Sequence, residues 1–165
     1  MASIAYLSLG SNLGDRKHQL DAAIAQLVQL GSVISVSAFY ETEPVEFTDQ
    51  PWFLNCAVGL ETSMEPEHLL KHLMCIERDL GRNRAKEKKK GPRTIDIDIL
   101  LFGDATVNFP ALQIPHPAMH ERRFVLEPLA EIAPEAQHPV LKKSVERLLA
   151  DLPPGPEVRR MAESR

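Results

Sequence analysis

The stretch that most constrains this chain is Thr94-Ile95-Asp96-Ile97-Asp98-Ile99-Leu100-Leu101-Phe102, where isoleucines alternate with acids. A repeat of two belongs to an extended strand, whose successive side chains leave on opposite faces. Ile95, Ile97 and Ile99 form the core face, which fixes the register and puts Asp96 and Asp98 together on the other. Aspartate is depleted in strands. Two carboxylates at successive positions of one face also repel each other unless a cation or an arginine neutralises them. Hard oxygen ligands at that spacing suit Mg²⁺, which takes one or two carboxylates and fills its shell with water and substrate phosphates. A solvated strand face, or a salt bridge with Arg93, is the plainer account of the same pair.

A cationic segment lies just upstream. The whole chain carries a net charge of −4, which argues against broad nucleic-acid binding. Yet residues 78–93 hold eight basic side chains (Arg78, Arg82, Arg84, Lys86, Lys88, Lys89, Lys90 and Arg93) against Asp79 and Glu87. A local excess of positive charge on an acidic body points to a compact anionic ligand rather than a long polyanion. Gly91-Pro92 turns the chain out of this segment and sets Arg93 beside the two aspartates. Arginine stabilises charge on a phosphoryl group through a planar fork that lysine lacks. With Arg82 and Arg84 at the other end of the segment, the arrangement is what a phosphotransfer site needs.

The remaining pattern predicts one α+β domain. Residues 3–9 read as a first strand. Asp15 caps a helix with Leu20, Ile24, Leu27 and Leu30 on one face, and Gly31 stops it. Residues 33–40 and 53–60 read as strands, joined by a loop too short for a crossover helix. Pro66 opens a second helix, striped by Leu69, Leu73, Ile76 and Leu80 and ended by Gly81. Residues 94–102 are expected to form a hairpin with residues 105–108 through Gly103-Asp104. Helical pieces follow, interrupted by Pro128 and Pro134, with a last helix near residues 144–152. The order β-α-β-β-α-β predicts a ferredoxin-like fold: a mainly antiparallel sheet with helices packed on one face. The domain is expected over residues 1–152, and residues 153–165 as a fraying tail. Cys56 and Cys75 offer no disulfide framework, no apolar run reaches the roughly 20 residues of a membrane span, and no secretory pattern is visible at the N-terminus. These features predict a cytoplasmic protein with no membrane association.

Other residues carry weaker signals. Gly10-Ser11-Asn12-Leu13-Gly14-Asp15 matches neither phosphate-loop fingerprint and reads as a strand-to-helix turn. His68 and His72 share a helix face but lack a third ligand. His116, between Pro115 and Pro117, is better placed for a ligand contact. Phe53 and Asn55 share a strand face suited to a flat heterocycle, with Phe124 as an opposing ring; two core phenylalanines and a polar edge residue would look the same.

Taken together, these residues resemble the 6-hydroxymethyl-7,8-dihydropterin pyrophosphokinases of folate biosynthesis. The resemblance runs from Leu7-Ser8-Leu9-Gly10-Ser11-Asn12 through Gln50-Pro51-Trp52-Phe53-Leu54-Asn55, Gly81-Arg82-Asn83-Arg84 and Ile114-Pro115-His116-Pro117 to about Pro134. Its most specific element is Gly91-Pro92-Arg93-Thr94-Ile95-Asp96-Ile97-Asp98-Ile99-Leu100-Leu101. The resemblance implies a Mg²⁺-dependent transfer of pyrophosphate from the co-substrate ATP to the pterin hydroxymethyl group, releasing AMP, by a monomer. It implies that Asp96 and Asp98 bind two Mg²⁺ ions and that Arg82 and Arg93 are catalytic. ATP would be held by Glu77, Arg82, Arg84, Arg93, Asp98, Ile99, Gln113, His116 and Arg122. The pterin would meet Thr42, Pro44, Val45, Phe53, Asn55, Asp96 and Phe124. The partners implied are these small molecules, with no nucleic acid and no membrane.

Three other classes stay open on the residues alone: a single-stranded RNA module on the same kind of sheet, a different Mg²⁺-dependent phosphoryl or nucleotidyl transferase, and a catalytically silent interaction protein. Arg93→Ala is expected to slow the chemical step with little change in pterin affinity, as read by single-turnover kinetics; an effect confined to pterin affinity would contradict the role implied for it.

Overall fold

A computed structural model describes residues 2–43, 51–82 and 94–161. Its elements run β1 (Ser3–Ser11), α1 (Arg16–Leu27), β2 (Ser32–Val36), β3 (Tyr40–Thr42), β4 (Phe53–Thr62), α2 (Pro66–Asp79), β5 (Asp96–Phe102), β6 (Val107–Phe109), β7 (Leu112–Ile114), a 3₁₀ turn (Met119–Glu121), α3 (Arg123–Ile132), α4 (Val145–Ala150) and β8 (Val158–Arg160). Among the described residues the main sheet has the order β5-β1-β4-β3-β8, with β2 also paired to β4. Every neighbouring pair is antiparallel. This is the ferredoxin-like arrangement. No helix among the described residues is long and apolar enough to cross a membrane.

Alternation along the strands builds the core. Ala5, Leu7 and Leu9 of β1, Leu54, Cys56, Val58 and Leu60 of β4, and Ile97 and Ile99 of β5 meet Leu20, Ala23 and Leu27 of α1 and Leu69, Leu73 and Ile76 of α2. Both long helices therefore pack on this one face. Asp15 caps α1 by accepting the His18 N–H at 3.1 Å, and Gly81 ends α2 at a φ of 97° that side chains disfavour. A second cluster lies across part of the opposite face. There Ala57 and Leu101 of the sheet meet Met119, Val125, Leu126 and Leu129, with Val145 and Leu148 of α4 behind them.

Several local expectations are corrected. β1 runs to Ser11, taking in Gly10 and Ser11 that read as part of a turn. The strand expected over residues 33–40 is broken between β2 and β3. The Ser37 hydroxyl accepts the Ala57 N–H at 2.9 Å and donates to the Ala38 carbonyl at 2.7 Å, so a side chain displaces the regular ladder. β6 pairs with β7, not with β5. The chain does turn at Gly103-Asp104, closed by the Ala105 N–H on the Phe102 carbonyl, but the shorter hairpin across Pro110-Ala111 takes its place. α3 passes through Pro128 instead of stopping there. The proline loses one helical hydrogen bond, but Pro128 is buried beside Val125, Leu126 and Leu129, so packing prevails over propensity. Finally, residues 158–160, expected within a fraying tail, form β8 and pair with β3.

Gly31 marks the tightest backbone approach. A Cβ there would overlap the Glu61 carbonyl oxygen and stand 3.1 Å from its carbon and 3.2 Å from the Thr62 Cα, all of them backbone atoms. Gly31→Ala should therefore cost about 2–3 kcal/mol, measured as a lower urea midpoint at unchanged m-value. An unshifted midpoint would mean that the β2–β4 edge is free to open there.

Candidate active site

The strand register assembles one continuous floor. Gly10 of β1 lies opposite Asp96 on one side and Asn55 on the other. Asn55 in turn lies opposite Tyr40, and Phe53 opposite Thr42. One row along, Ser8 lies between Asp98 and Ala57. Directly paired residues share a face, so Asp96, Asp98, Asn55, Phe53 and Thr42 all look away from the main core. Gly10 keeps this floor flat. A Cβ at that position would stand 3.2 Å from the Asn55 Nδ2 and 3.5 Å from the Phe53 Cδ1. Asn55 is itself buried, and its Oδ1 accepts the Thr42 hydroxyl at 3.3 Å. That bond orients the amide with Nδ2 toward Gly10.

The acidic edge is held from beneath. β5 is the edge strand of the sheet, and the outward N–H of Ile97 is taken by the Glu77 carboxylate at 2.8 Å. Glu77 comes from the last turn of α2 and is only 2% exposed. The left-handed Gly81 folds the next residue back, and the Arg82 N–H bonds the Glu77 carbonyl at 3.0 Å. The Arg82 guanidinium then bridges Glu77 at 3.0 Å and Asp96 at 2.9 Å. A buried carboxylate thus anchors an arginine, and that arginine meets the first of the two aspartates. Removing either member of such a pair leaves the other charge buried and uncompensated.

A β-bulge shapes the other end. Leu7 pairs with Ile99 and Tyr6 with Leu101, leaving Leu100 as an extra residue. Leu100 and Leu101 consequently both join the second cluster, while Phe102 returns to the main core. The Leu100 carbonyl accepts the His116 N–H at 2.9 Å, which seats His116 along β5. His116 Nδ1 accepts the Ala118 N–H at 3.1 Å, so the neutral ring carries its proton on Nε2. Burial and the nearby Arg122 hold its pKa down to about 4, against the pull of Asp96. His116 is therefore a neutral donor at physiological pH. Burial also pushes the Asp98 carboxyl up to about 7; Asp96 and Glu77 add to the rise, and Arg122 and Arg82 oppose it.

The structure thus gathers Glu77, Arg82, Asp96, Asp98, His116 and Arg122 around one end of β5, and Thr42, Phe53 and Asn55 beside Gly10. Phe124 stands in the first turn of α3, with the Arg122 guanidinium 5.6 Å from its ring centre. Ile99 points into the main core, so only its backbone is available to the open face. Gln113 is exposed on β7 between the buried Leu112 and Ile114. Pro44, Val45, Arg84 and Arg93 lie outside the described residues, as do Lys88, Lys89 and Lys90. Gly10 was missed as a floor residue. A glycine inside a strand signals a close approach, but the Gly10-Ser11-Asn12-Leu13-Gly14 pattern reads as a turn and hides that signal. Among the described residues no group of three or more His, Cys, Asp or Glu side chains is placed to hold a metal ion.

The sequence profile of the 7,8-dihydro-6-hydroxymethylpterin-pyrophosphokinase (HPPK) family matches residues 6–134. The chain belongs to this family. It is 49% identical over 139 residues to a 2-amino-4-hydroxy-6-hydroxymethyldihydropteridine pyrophosphokinase of Bacillus subtilis, a match covering 83% of this chain and 82% of the relative. It is 43% identical over 152 residues to the folic acid synthesis protein fol1 of Schizosaccharomyces pombe, covering 91% of this chain but 20% of that longer one. Among solved structures, an HPPK-DHPS in complex with substrates superposes with a TM-score of 0.72 at 18% identity, over 91% of this chain and 43% of the other. At that identity the likeness shows the HPPK fold. The profile match ends before α4 and β8.

The raised Asp98 pKa sets a direction for pH. In the metal-free protein the folded state keeps the Asp98 proton to about pH 7, whereas the unfolded chain releases it near the ordinary carboxyl value of about 4. The folded state binds more protons in between, so this contribution to stability is complete below about pH 4 and is lost as pH rises to about 7. Urea titrations across that window should show the decline, and Asp98→Asn should flatten it. The same slope in the variant would assign the effect to another group.

Proposed function

We propose that the open face of this sheet carries out the family's reaction: transfer of a pyrophosphoryl group from ATP to the hydroxymethyl group of 6-hydroxymethyl-7,8-dihydropterin, giving AMP and the dihydropterin pyrophosphate in folate biosynthesis. The observation that carries this reading is the placement of Asp96 and Asp98 on one face, with a flat, aromatic- and amide-bordered floor adjoining them in register.

Mg²⁺ fits the acidic end. The donors are the hard oxygens of two carboxylates, and the like-charge crowding that adds to the burial-driven rise of the Asp98 pKa would be relieved by a cation. Asp96 and Asp98 would hold two such ions, which would supply charge neutralisation on the ATP phosphates and make the pterin hydroxyl a better nucleophile.

The chain's own residues do the rest. Asn55 donates and accepts along the edge of the pterin, which lies over Gly10 between the rings of Phe53 and Phe124. Thr42, Pro44 and Val45 border it, and Asp96 stands at its hydroxymethyl end. Arg82, already 2.9 Å from Asp96, is positioned to balance the negative charge that moves from ATP to the pterin, together with Arg93. Glu77 works from below, fixing Arg82 and the β5 backbone. His116, neutral with a donor Nε2, and Arg122 bind the nucleotide with Arg84, Gln113 and the Ile99 backbone. Substrates seated on this floor would displace water from it, which would limit hydrolysis of ATP. The enzyme acts as a cytoplasmic monomer on small molecules, with no nucleic acid and no membrane.

A product assay tests the reading. With ATP, Mg²⁺ and the dihydropterin, AMP should be released in step with pterin pyrophosphate, and ADP should not. Asp98→Ala should lower turnover by more than about 100-fold while circular dichroism shows the fold retained. Near-normal turnover of that variant at saturating Mg²⁺ would eliminate the two-carboxylate mechanism.

A further inference from the structure

β8 lies beyond the family match, which ends at residue 134, yet it is laid along the strand that borders the amide end of the floor. Val158 pairs with Thr42, Arg159 with Glu41 and Arg160 with Tyr40. Bonds on either side extend the pairing. The Met161 N–H reaches the Phe39 carbonyl at 2.8 Å and the Glu43 N–H reaches the Glu157 carbonyl at 3.0 Å. The Glu157 N–H returns to the Glu43 carboxylate at 3.1 Å.

Strand alternation sends the two arginines of β8 to opposite faces. On the α1 face, the Arg159 guanidinium lies 4.6 Å over the Trp52 ring and 3.5 Å from Glu41. Glu41 is also held by Arg16 at 2.9 Å, and Arg16 donates to the Trp52 carbonyl at 2.9 Å. On the α3 face, Arg160 lies 3.6 Å from Glu131. Glu131 accepts the Tyr40 hydroxyl at 2.6 Å and the Ala38 N–H at 3.0 Å. β3 is only three residues long, so these grips on its two faces add to the β4 pairing that holds it in place. Thr42, its last residue, orients the Asn55 amide.

We propose that β8 is a clamp on the pterin subsite: by gripping β3 from both faces it sets the position of Thr42, and through Thr42 the direction in which Asn55 presents its amide over Gly10. Arg159 and Arg160 are positioning residues that touch no substrate. The inference rests on the pterin assignment made above.

The test uses the full chain. Arg159→Ala and Arg160→Ala, singly and combined, alter side chains that are 56% and 61% exposed, so folding should survive. The combined variant should raise the KM for the dihydropterin about three- to tenfold and leave the KM for ATP and kcat within about twofold. Arg159→Lys, which keeps a cation over Trp52, should recover part of the loss. Asn55→Ala serves as the reference. If it raises the pterin KM while the arginine variants leave it unchanged, the clamp is refuted and the pterin site stands. If Asn55→Ala also leaves the pterin KM unchanged, the pterin assignment itself fails and the clamp falls with it. A parallel rise in both KM values, together with a lower thermal midpoint, would mean general loosening and would overturn the proposal. Should the combined variant misfold, Arg159→Ala alone decides the matter by the same readouts.

Discussion

Everything at the acidic end depends on one conflict resolved by strand geometry. Ile97 and Ile99 must be buried, and a pleated strand that buries them has no choice but to place Asp96 and Asp98 side by side on its other face, where both are half-buried. Slipping the register by one residue would relieve the carboxylate repulsion only by burying both acids in an apolar core, at a far greater cost. Hydrophobic burial therefore holds the two charges together. The Glu77 carboxylate on the Ile97 N–H secures the same register from the sheet edge, where an uncapped strand would be free to slide or pair elsewhere.

The bulge at Leu100 divides the face that this register opens. Before it, β5 presents acids; after it, Leu100 and Leu101 both turn toward α3 and α4. One extra residue thus converts a polar floor into the base of a second apolar cluster within a single strand. The cluster in turn fixes the 3₁₀ turn and the start of α3, and with them Arg122 and Phe124. His116 hangs from the carbonyl of the bulged residue itself. Among the described residues, the site lies at the border between sheet covered by α3 and α4 and sheet that no described helix covers, and the covered side gives it rigid walls.

Much of this was legible in the residue order. The period of two in β5, the stripe on α2 and the glycine stop at Gly81 each make a local demand that the fold satisfies. The topology follows from those elements and the short loop between the second and third strands. What could not be read was set by contacts far apart in sequence. Ser37 breaks an edge strand because its hydroxyl reaches Ala57, twenty residues on. Pro128 stays in a helix because that helix is packed against the sheet. Residues 158–160 become a strand because β3 offers an unpaired edge more than a hundred residues earlier. Glu77 falls on the apolar stripe of α2, four residues after Leu73, which signals its burial, but the Ile97 N–H that its carboxylate accepts comes from another element. The open face of the aspartates was local information, whereas the arginine beneath it was not.

The charges around β5 explain why this arrangement needs both its acids and its bases. Glu77, Asp96 and Asp98 face Arg82 and Arg122, and His116 is kept neutral, so these side chains nearly balance without making the site cationic. Outside residues 78–93 the chain is strongly acidic, and an anionic nucleotide would be repelled from most of the surface. On the proposed reading, attraction would come from the basic segment that precedes β5 in the sequence, and from cations held by the two aspartates. A carboxylate pair fully neutralised by arginine would have no use for a divalent ion, and one with no arginine nearby would bind the ion but leave the developing phosphate charge unattended. On the proposed reading Arg82, shared between the buried Glu77 and the half-buried Asp96, takes the middle course: anchored by Glu77, it would let Asp96 exchange part of its hold on the guanidinium for a ligand without setting the arginine adrift.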